Sequence, residues 1–130
     1  MNKDQINKIK KIFASHSAVK LAYFFGSKSE GRSGPLSDYD LAVFLDEKNK
    51  KKMFEIQSAL MDEISRLLKT DKVDIVVLNT TKSPDIKFNI IKEGRLIYEK
   101  EPYRVIVEPR IMNEYFDFSL FLRRYNLTKA

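Results

Sequence analysis

Three aspartates are the residues of this sequence best suited to chemistry. Asp38 and Asp40 are two residues apart in a segment predicted to be a strand, so their side chains should project from the same face. Neighbouring carboxylates repel each other, and a divalent cation held between them removes that repulsion. The chain has no cysteine and one histidine, which excludes thiolate sites and disfavours zinc. Oxygen ligands alone suit Mg²⁺ or Mn²⁺.

The third aspartate, Asp74, stands near the start of another apolar segment at 72–78. An aspartate at the beginning of a strand is usually an ordinary turn residue. Asp74 is therefore a candidate site residue only if the fold brings it close to the other two aspartates.

A glycine and a serine upstream suggest a phosphate site. Gly26 directly follows a buried apolar segment and lets backbone approach a ligand closely, and Ser27 offers an N–H and a hydroxyl to phosphate oxygens. The glycine, lysine and hydroxyl spacing of a Walker loop is missing. Phosphate binding here needs a different framework.

The apolar pattern predicts a mixed α/β fold that would position these residues. Strands are predicted at 19–25, 38–45, 72–78 and 95–98, and helices at 3–14, 49–69 and 83–94, with a C-terminal helical segment at about 102–126. The strand at 38–45 is apolar on both faces and should lie centrally. We expect a small mixed sheet flanked by helices, with the acidic cluster on one face and the helices on the other. Pro109 should kink or restart the last helix.

Length and composition narrow the class of protein. At 130 residues and 43% hydrophobic content, the chain should form a single domain spanning 1–130. It contains neither an apolar run of about 18 residues nor a secretory leader, which predicts a cytoplasmic protein without a membrane span. The net charge of +6 favours a polyanionic ligand, such as a triphosphate, a nucleic acid or an acidic protein face, without choosing among them.

The acidic and glycine-rich segments together resemble a known family. Residues 26–40 read GSKSEGRSGPLSDYD and residues 72–78 read KVDIVVL. This resembles the minimal nucleotidyltransferases of the DNA polymerase β superfamily, whose pattern is Gly-Ser, three residues, Gly, five residues, Ser-Asp-x-Asp, and a lone aspartate on a later strand. The matching positions are Gly26, Ser27, Gly31, Ser37, Asp38, Asp40 and Asp74.

The resemblance implies a polymerase β palm-like fold and roles for single residues. Asp38, Asp40 and Asp74 would hold Mg²⁺ or Mn²⁺, and Asp74 would also accept a proton from the attacking hydroxyl. Residues that would bind the nucleotide, with ATP as substrate, are Gly26, Ser27 and Ser37. Lys28 and Arg32 could add charge to this loop, and a solvent-exposed role fits them equally well.

The acceptor is implied by the small size of the chain. Family members of this length lack a domain for the acceptor, and in many of them a HEPN-domain ribonuclease toxin is the partner. The resemblance thus implies an antitoxin that transfers AMP from ATP to a tyrosine hydroxyl of that toxin. The alternatives are an antitoxin that inhibits by occlusion without turnover, and transfer to a small molecule. Direct nucleic-acid binding is disfavoured because no helix-turn-helix or aromatic RNA-reading motif is present.

Two further features are predicted to have structural roles. His16, in a predicted turn, is expected to be a surface residue without chemistry. An apolar group in the C-terminal segment should mostly pack on the body of the domain, with a partner interface as the alternative. Its members are Tyr115, Phe116, Phe118, Leu120 and Phe121.

Overall fold

The computed structural model describes residues 1–25 and 39–125. Within these ranges the chain forms the predicted strands and helices, with boundaries shifted by one or two residues. In chain order they are α1 (Lys3–Ser15), β1 (Val19–Phe25), β2 (Tyr39–Leu45), α2 (Lys50–Leu68), β3 (Val73–Val77), α3 (Pro84–Glu93), β4 (Arg95–Glu99) and α4 (Tyr103–Arg124). None of the helices in the described ranges is long and apolar enough to cross a membrane.

The strands form one mixed sheet in the order β3-β2-β1-β4. β2 runs parallel to β3 and antiparallel to β1, and β1 runs antiparallel to β4. The sequence prediction that 38–45 lies centrally is confirmed, and β4 is an edge strand. The predicted α/β class, a small mixed sheet flanked by helices, is confirmed as well.

Helices cover both faces of the sheet, which corrects the expectation that they cover only the face opposite the acidic cluster. Along β2, Leu41, Val43 and Leu45 alternate with Ala42 and Phe44. The first set packs with α1 and α2, and the second set packs with α3 and α4. Because both sets are apolar, each face of the sheet needs its own layer of helices.

Local sequence signals fix the helix ends. The side chain of Ser83 accepts a hydrogen bond from the backbone N–H of Ile86, and Pro84 occupies the first helical turn of α3. Asn49 caps α2 in the same way by accepting from the N–H of Lys52. These caps favour the start of α2 at Lys50 and of α3 at Pro84.

The helix α4 departs from part of what was expected of it. It continues through Pro109 as one helix, so the restart, one of the two predicted outcomes, does not occur. Most of the apolar group on its second half is exposed, namely Phe116, Leu120 and Phe121, although the rings of Tyr115 and Phe116 contact Phe88 of α3. The helix already buries Val107 and Ile111 against the sheet, so residues on its outer side point away from it.

His16 is less exposed than the sequence suggested. It ends α1, and its Nε2 lies 2.7 Å from Oε2 of Glu63 on α2. The histidine side chain is 22% exposed, so it is partly buried between the two helices. His16 therefore joins α1 to α2, and its prediction as a plain surface residue was wrong.

Candidate active site

Two of the three predicted aspartates occupy paired positions in the sheet. In the parallel pairing of β2 with β3, the partner of Asp40 is Asp74. Adjacent strands are about 5 Å apart, so the two residues are close neighbours on the same face. The pairing begins one residue earlier, where the N–H of Tyr39 donates to the carbonyl oxygen of Lys72 at 3.1 Å.

Sheet alternation determines which face carries the two carboxylates. Asp40 lies on the same face as Ala42 and Phe44, and Asp74 lies on the same face as Val76. These apolar residues belong to the layer between the sheet and the helices α3 and α4. Asp40 is half-buried and Asp74 is exposed, so the pair lies at the open margin of that layer.

An aromatic residue flanks the carboxylate pair on the other side. Asp40 pairs with Phe25 of β1 as well as with Asp74 of β3. Phe25 is half-buried and packs with the α3 and α4 layer. The sequence interpretation gave Phe25 no part in the site. Alternation along β1 is irregular between Val19 and Leu21, so counting by twos from Val19 would have placed Phe25 on the opposite face.

The remaining predicted site residues lie outside the described residues. They are Gly26, Ser27, Gly31, Ser37 and Asp38, together with Lys28 and Arg32. The residues on either side of that range, Phe25 and Tyr39, both lie at the carboxylate end of the sheet. Among residues 1–25 and 39–125, no group of three or more acidic, histidine or cysteine side chains is placed to hold a metal ion.

The donor set suits a hard divalent cation. Asp40 and Asp74 supply carboxylate oxygens from directly paired positions, and both belong to rigid strands. Mg²⁺ is typically bound through one or two carboxylates together with water and substrate phosphates. The two aspartates therefore fit such an ion, with positions left for a triphosphate.

A separate cavity of about 490 Å³ lies at the opposite end of the sheet. It is bounded by the ends of β2 and β3 at Phe44 and Asn79, and by Arg110 of α4. Phe44, which lines the cavity, is four residues of extended strand from Asp40, which corresponds to about 13 Å. This cavity is therefore not part of the candidate active site.

Comparison with protein families identifies the domain. Residues 7–103 match the family described as Polymerase beta, Nucleotidyltransferase, which covers β1 to β4 and both aspartates of the pair. The chain belongs to the polymerase β nucleotidyltransferase family. No curated protein sequence matches the chain significantly.

Solved structures share this nucleotidyltransferase fold over nearly their whole length. The toxin–antitoxin MntA–HepT matches with a TM-score of 0.71 at 18% identity, covering 95% of each chain. A toxin–antitoxin structure with AMP-PNP has a TM-score of 0.71 at 19% identity, covering 96% of this chain and 95% of the other. A protein from Shewanella oneidensis has a TM-score of 0.68 at 16% identity, covering 96% and 95%. At these identities the likeness establishes the fold.

Proposed function

We propose that this chain is a metal-dependent nucleotidyltransferase that transfers AMP from ATP to a tyrosine hydroxyl of a partner HEPN ribonuclease toxin, and so acts as its antitoxin. The observation that carries the proposal is the pairing of Asp40 with Asp74 across β2 and β3, within a domain of the polymerase β nucleotidyltransferase family. Asp38 is two residues before Asp40 in the sequence and would complete the set.

The three carboxylates have distinct parts in this proposal. Asp38, Asp40 and Asp74 would hold Mg²⁺ or Mn²⁺, which supplies charge stabilisation to the phosphates when bound. Asp74, the more exposed of the described pair, is the group that would accept the proton of the attacking hydroxyl. Gly26, Ser27 and Ser37 would bind the triphosphate.

The transfer forms one bond to the α-phosphorus of ATP and breaks another. The tyrosine oxygen forms a bond to the α-phosphorus of ATP, and the bond from that phosphorus to the oxygen bridging the β-phosphate breaks. Pyrophosphate leaves with the electron pair, and the hydroxyl proton passes to Asp74. Most of the acceleration in such a transfer comes from positioning and electrostatics, which a rigid strand pair provides.

The partner and the nucleotide are supported by structural neighbours. Chains of MntA–HepT complexes, in which MntA is the antitoxin and HepT a HEPN toxin, share the fold of this chain, and one related toxin–antitoxin structure contains AMP-PNP, an analogue of ATP. The domain match ends at Tyr103, so α4 is the part of the chain least accounted for by the transferase family. A protein acceptor needs no further substrate domain on this chain.

The test is the intact mass of a co-expressed HEPN-domain partner after incubation with this protein, ATP and Mg²⁺. We expect a gain of one or more AMP units. Asp40→Asn and Asp74→Asn should each slow the transfer on the order of 100-fold or more. Asp62→Asn is the matched control, because it makes the same chemical change at an exposed aspartate of α2 and should transfer normally.

The outcomes separate the alternatives. A complex that blocks the toxin without any mass gain, with any nucleotide, would replace catalysis by occlusion. Nucleotide consumption without protein modification would point to a small-molecule acceptor. Equal activity of Asp74→Asn and Asp62→Asn would remove Asp74 from the site.

A further inference from the structure

The outer side of α4 carries a continuous apolar stripe. Its residues follow one another at spacings of four, three, four and four, which keeps them on one side of a helix with 3.6 residues per turn. They are Val105, Pro109, Met112, Phe116 and Leu120. All five are exposed, with Val105, Phe116 and Leu120 at 73%, 53% and 59%.

This outer stripe lies on a different side of α4 from the residues that the domain buries, and only Phe116 at its edge also contacts the domain, through the ring of Phe88 of α3. Val107 and Ile111 are buried in the layer beneath the helix, with Tyr103 packed against them. A helix at the surface of a globular protein normally has one apolar side and one polar side. A second apolar side that stays exposed on a folded domain is typical of an interaction surface.

The charges at the two ends of the stripe complement each other. Glu101 precedes its first residue, and Arg124 follows its last. Both are exposed, and neither forms an ion pair within residues 1–25 and 39–125. Glu101 and Arg124 are equidistant from the midpoint between Met112 and Asn113, as are Val105 and Leu120, and also Pro109 and Phe116.

A surface with this symmetry is complementary to itself. We propose that α4 pairs antiparallel with α4 of a second copy of this chain, about a two-fold axis near Met112. Val105 of each copy then lies opposite Leu120 of the other, and Glu101 lies opposite Arg124. A parallel pairing would instead bring the two arginines together at one end and the two glutamates at the other.

The size of the stripe indicates a modest affinity. From Val105 to Leu120 the helix is about 22 Å long, which gives an interface near the lower limit for specific association. We expect a dissociation constant on the order of 1 to 100 µM. The association does not depend on nucleotide, on metal or on transferase activity, so it can fail or hold independently of the proposed function.

The first experiment measures the mass of the purified full chain by sedimentation velocity from about 1 to 300 µM, a range set by the expected affinity. The wild-type chain should form a dimer. Phe116→Asp should be monomeric throughout, whereas Phe54→Asp should dimerise like wild type, because Phe54 is a phenylalanine of α2 that is exposed at 66%, against 53% for Phe116. A monomeric wild type, a dimeric Phe116→Asp or a monomeric Phe54→Asp would each overturn the proposal.

Charge reversal tests the antiparallel register. Glu101→Arg and Arg124→Glu should each weaken the dimer about 10-fold, because two rim ion pairs become repulsive. The double variant should recover the wild-type dissociation constant. A double variant weaker than both single variants would overturn the register.

Disulfide trapping gives a second reading, since the wild-type chain has no cysteine. Under oxidation, a mixture of Val105→Cys and Leu120→Cys chains should form mixed disulfide dimers, and neither variant alone should cross-link efficiently. Cross-linking of Val105→Cys to itself would indicate a parallel pair. Protection of the stripe only when a HEPN partner is present would assign it to that partner instead of to a second copy.

Discussion

At the scale of single residues, Asp40 and Asp74 place two like charges at directly paired positions of neighbouring strands. Opposed like charges destabilise a sheet by a few tenths of a kcal/mol to about 1 kcal/mol. We therefore expect Asp74→Asn to raise the free energy of unfolding by about 0.5 kcal/mol when no divalent cation is present. Urea unfolding in the presence of a chelator measures this change.

The same substitution should have the opposite effect when metal is added. A cation that binds the folded chain at about 100 times its dissociation constant adds about 2.7 kcal/mol to stability. Wild type and Asp62→Asn should gain this stabilisation from Mg²⁺ or Mn²⁺, and Asp74→Asn should lose most of it. Equal stabilisation of all three proteins would show that the carboxylate pair does not hold the ion.

A second residue-scale prediction concerns Tyr23, a buried tyrosine of β1. Its hydroxyl donates to Oε2 of Glu108 on α4 at 2.6 Å, and Arg104 lies 3.3 Å from the same oxygen. Tyr23→Phe removes the donor from a half-buried carboxylate, so it should cost about 1.5 kcal/mol of unfolding free energy. Tyr98→Phe is the control, because the Tyr98 hydroxyl makes no hydrogen bond to the described residues, and it should change stability little.

Tyr23 also makes stability depend on alkaline pH. Burial, followed by the hydrogen bond to Glu108, raises the pKa of Tyr23 above its ordinary value of 10.0. The folded state thus keeps the phenol proton that the unfolded state loses, and this contribution is complete below about pH 10 and is lost as the pH rises further. Above that pH, the free energy of unfolding should fall less steeply with pH for Tyr23→Phe than for wild type. The two slopes should differ by about 1.4 kcal/mol per pH unit. Parallel slopes for the two proteins would contradict this linkage.

At the scale of elements, the junction between α3 and β4 leaves no room for a side chain. A Cβ placed on Gly94 would lie 2.3 Å from the carbonyl oxygen of Ile90, which accepts the hydrogen bond from the N–H of Gly94. Gly94→Ala must therefore displace either the end of α3 or the start of β4, at a cost of about 1 to 3 kcal/mol. A lowered denaturation midpoint is expected, and an unchanged midpoint would mean that the junction relaxes freely.

The elements themselves were largely predictable from the sequence, because they depend on local signals. Apolar periodicity and the Ser83-Pro84 start defined the helices, and β-branched runs defined the strands. The local sequence pattern could not predict the pairing of Asp40 with Asp74, because that pairing depends on which strands are neighbours and on the register between them. Only the family pattern indicated that the two belong together.

For α4, the sequence pattern could not predict which of two apolar sides packs on the domain. The sequence pattern of α4 is apolar on two sides. The prediction was that most of the group Tyr115, Phe116, Phe118, Leu120 and Phe121 packs on the domain, whereas Phe116, Leu120 and Phe121 are exposed. One helix can bring only one side to a sheet, so the position of Val107 and Ile111 decided the outcome. Apolar content alone does not distinguish a core from an interface.

At the scale of the whole molecule, two apolar layers share one sheet. Leu60 of α2 lies in the layer on one face, and Ile111 of α4 lies in the layer on the other. Alternate residues of β1 and β2 enter both layers, so loss of either layer exposes the other side of the same strands. We expect residues 1–130 to unfold as one cooperative unit, which is the form that the predicted single domain would take.

Native-state hydrogen exchange on Leu60→Ala tests this coupling, using the Phe116→Asp background to exclude association. Leu60 is fully buried, so the substitution should cost about 2 to 5 kcal/mol. In a cooperative unit, the slowest amides of α4, on the far side of the sheet, lose the same free energy of protection as those of α2. If the amides of α4 kept their full protection while those of α2 lost it, the two layers would unfold separately. Destabilising one face of the sheet would then leave the stability of the other face unchanged.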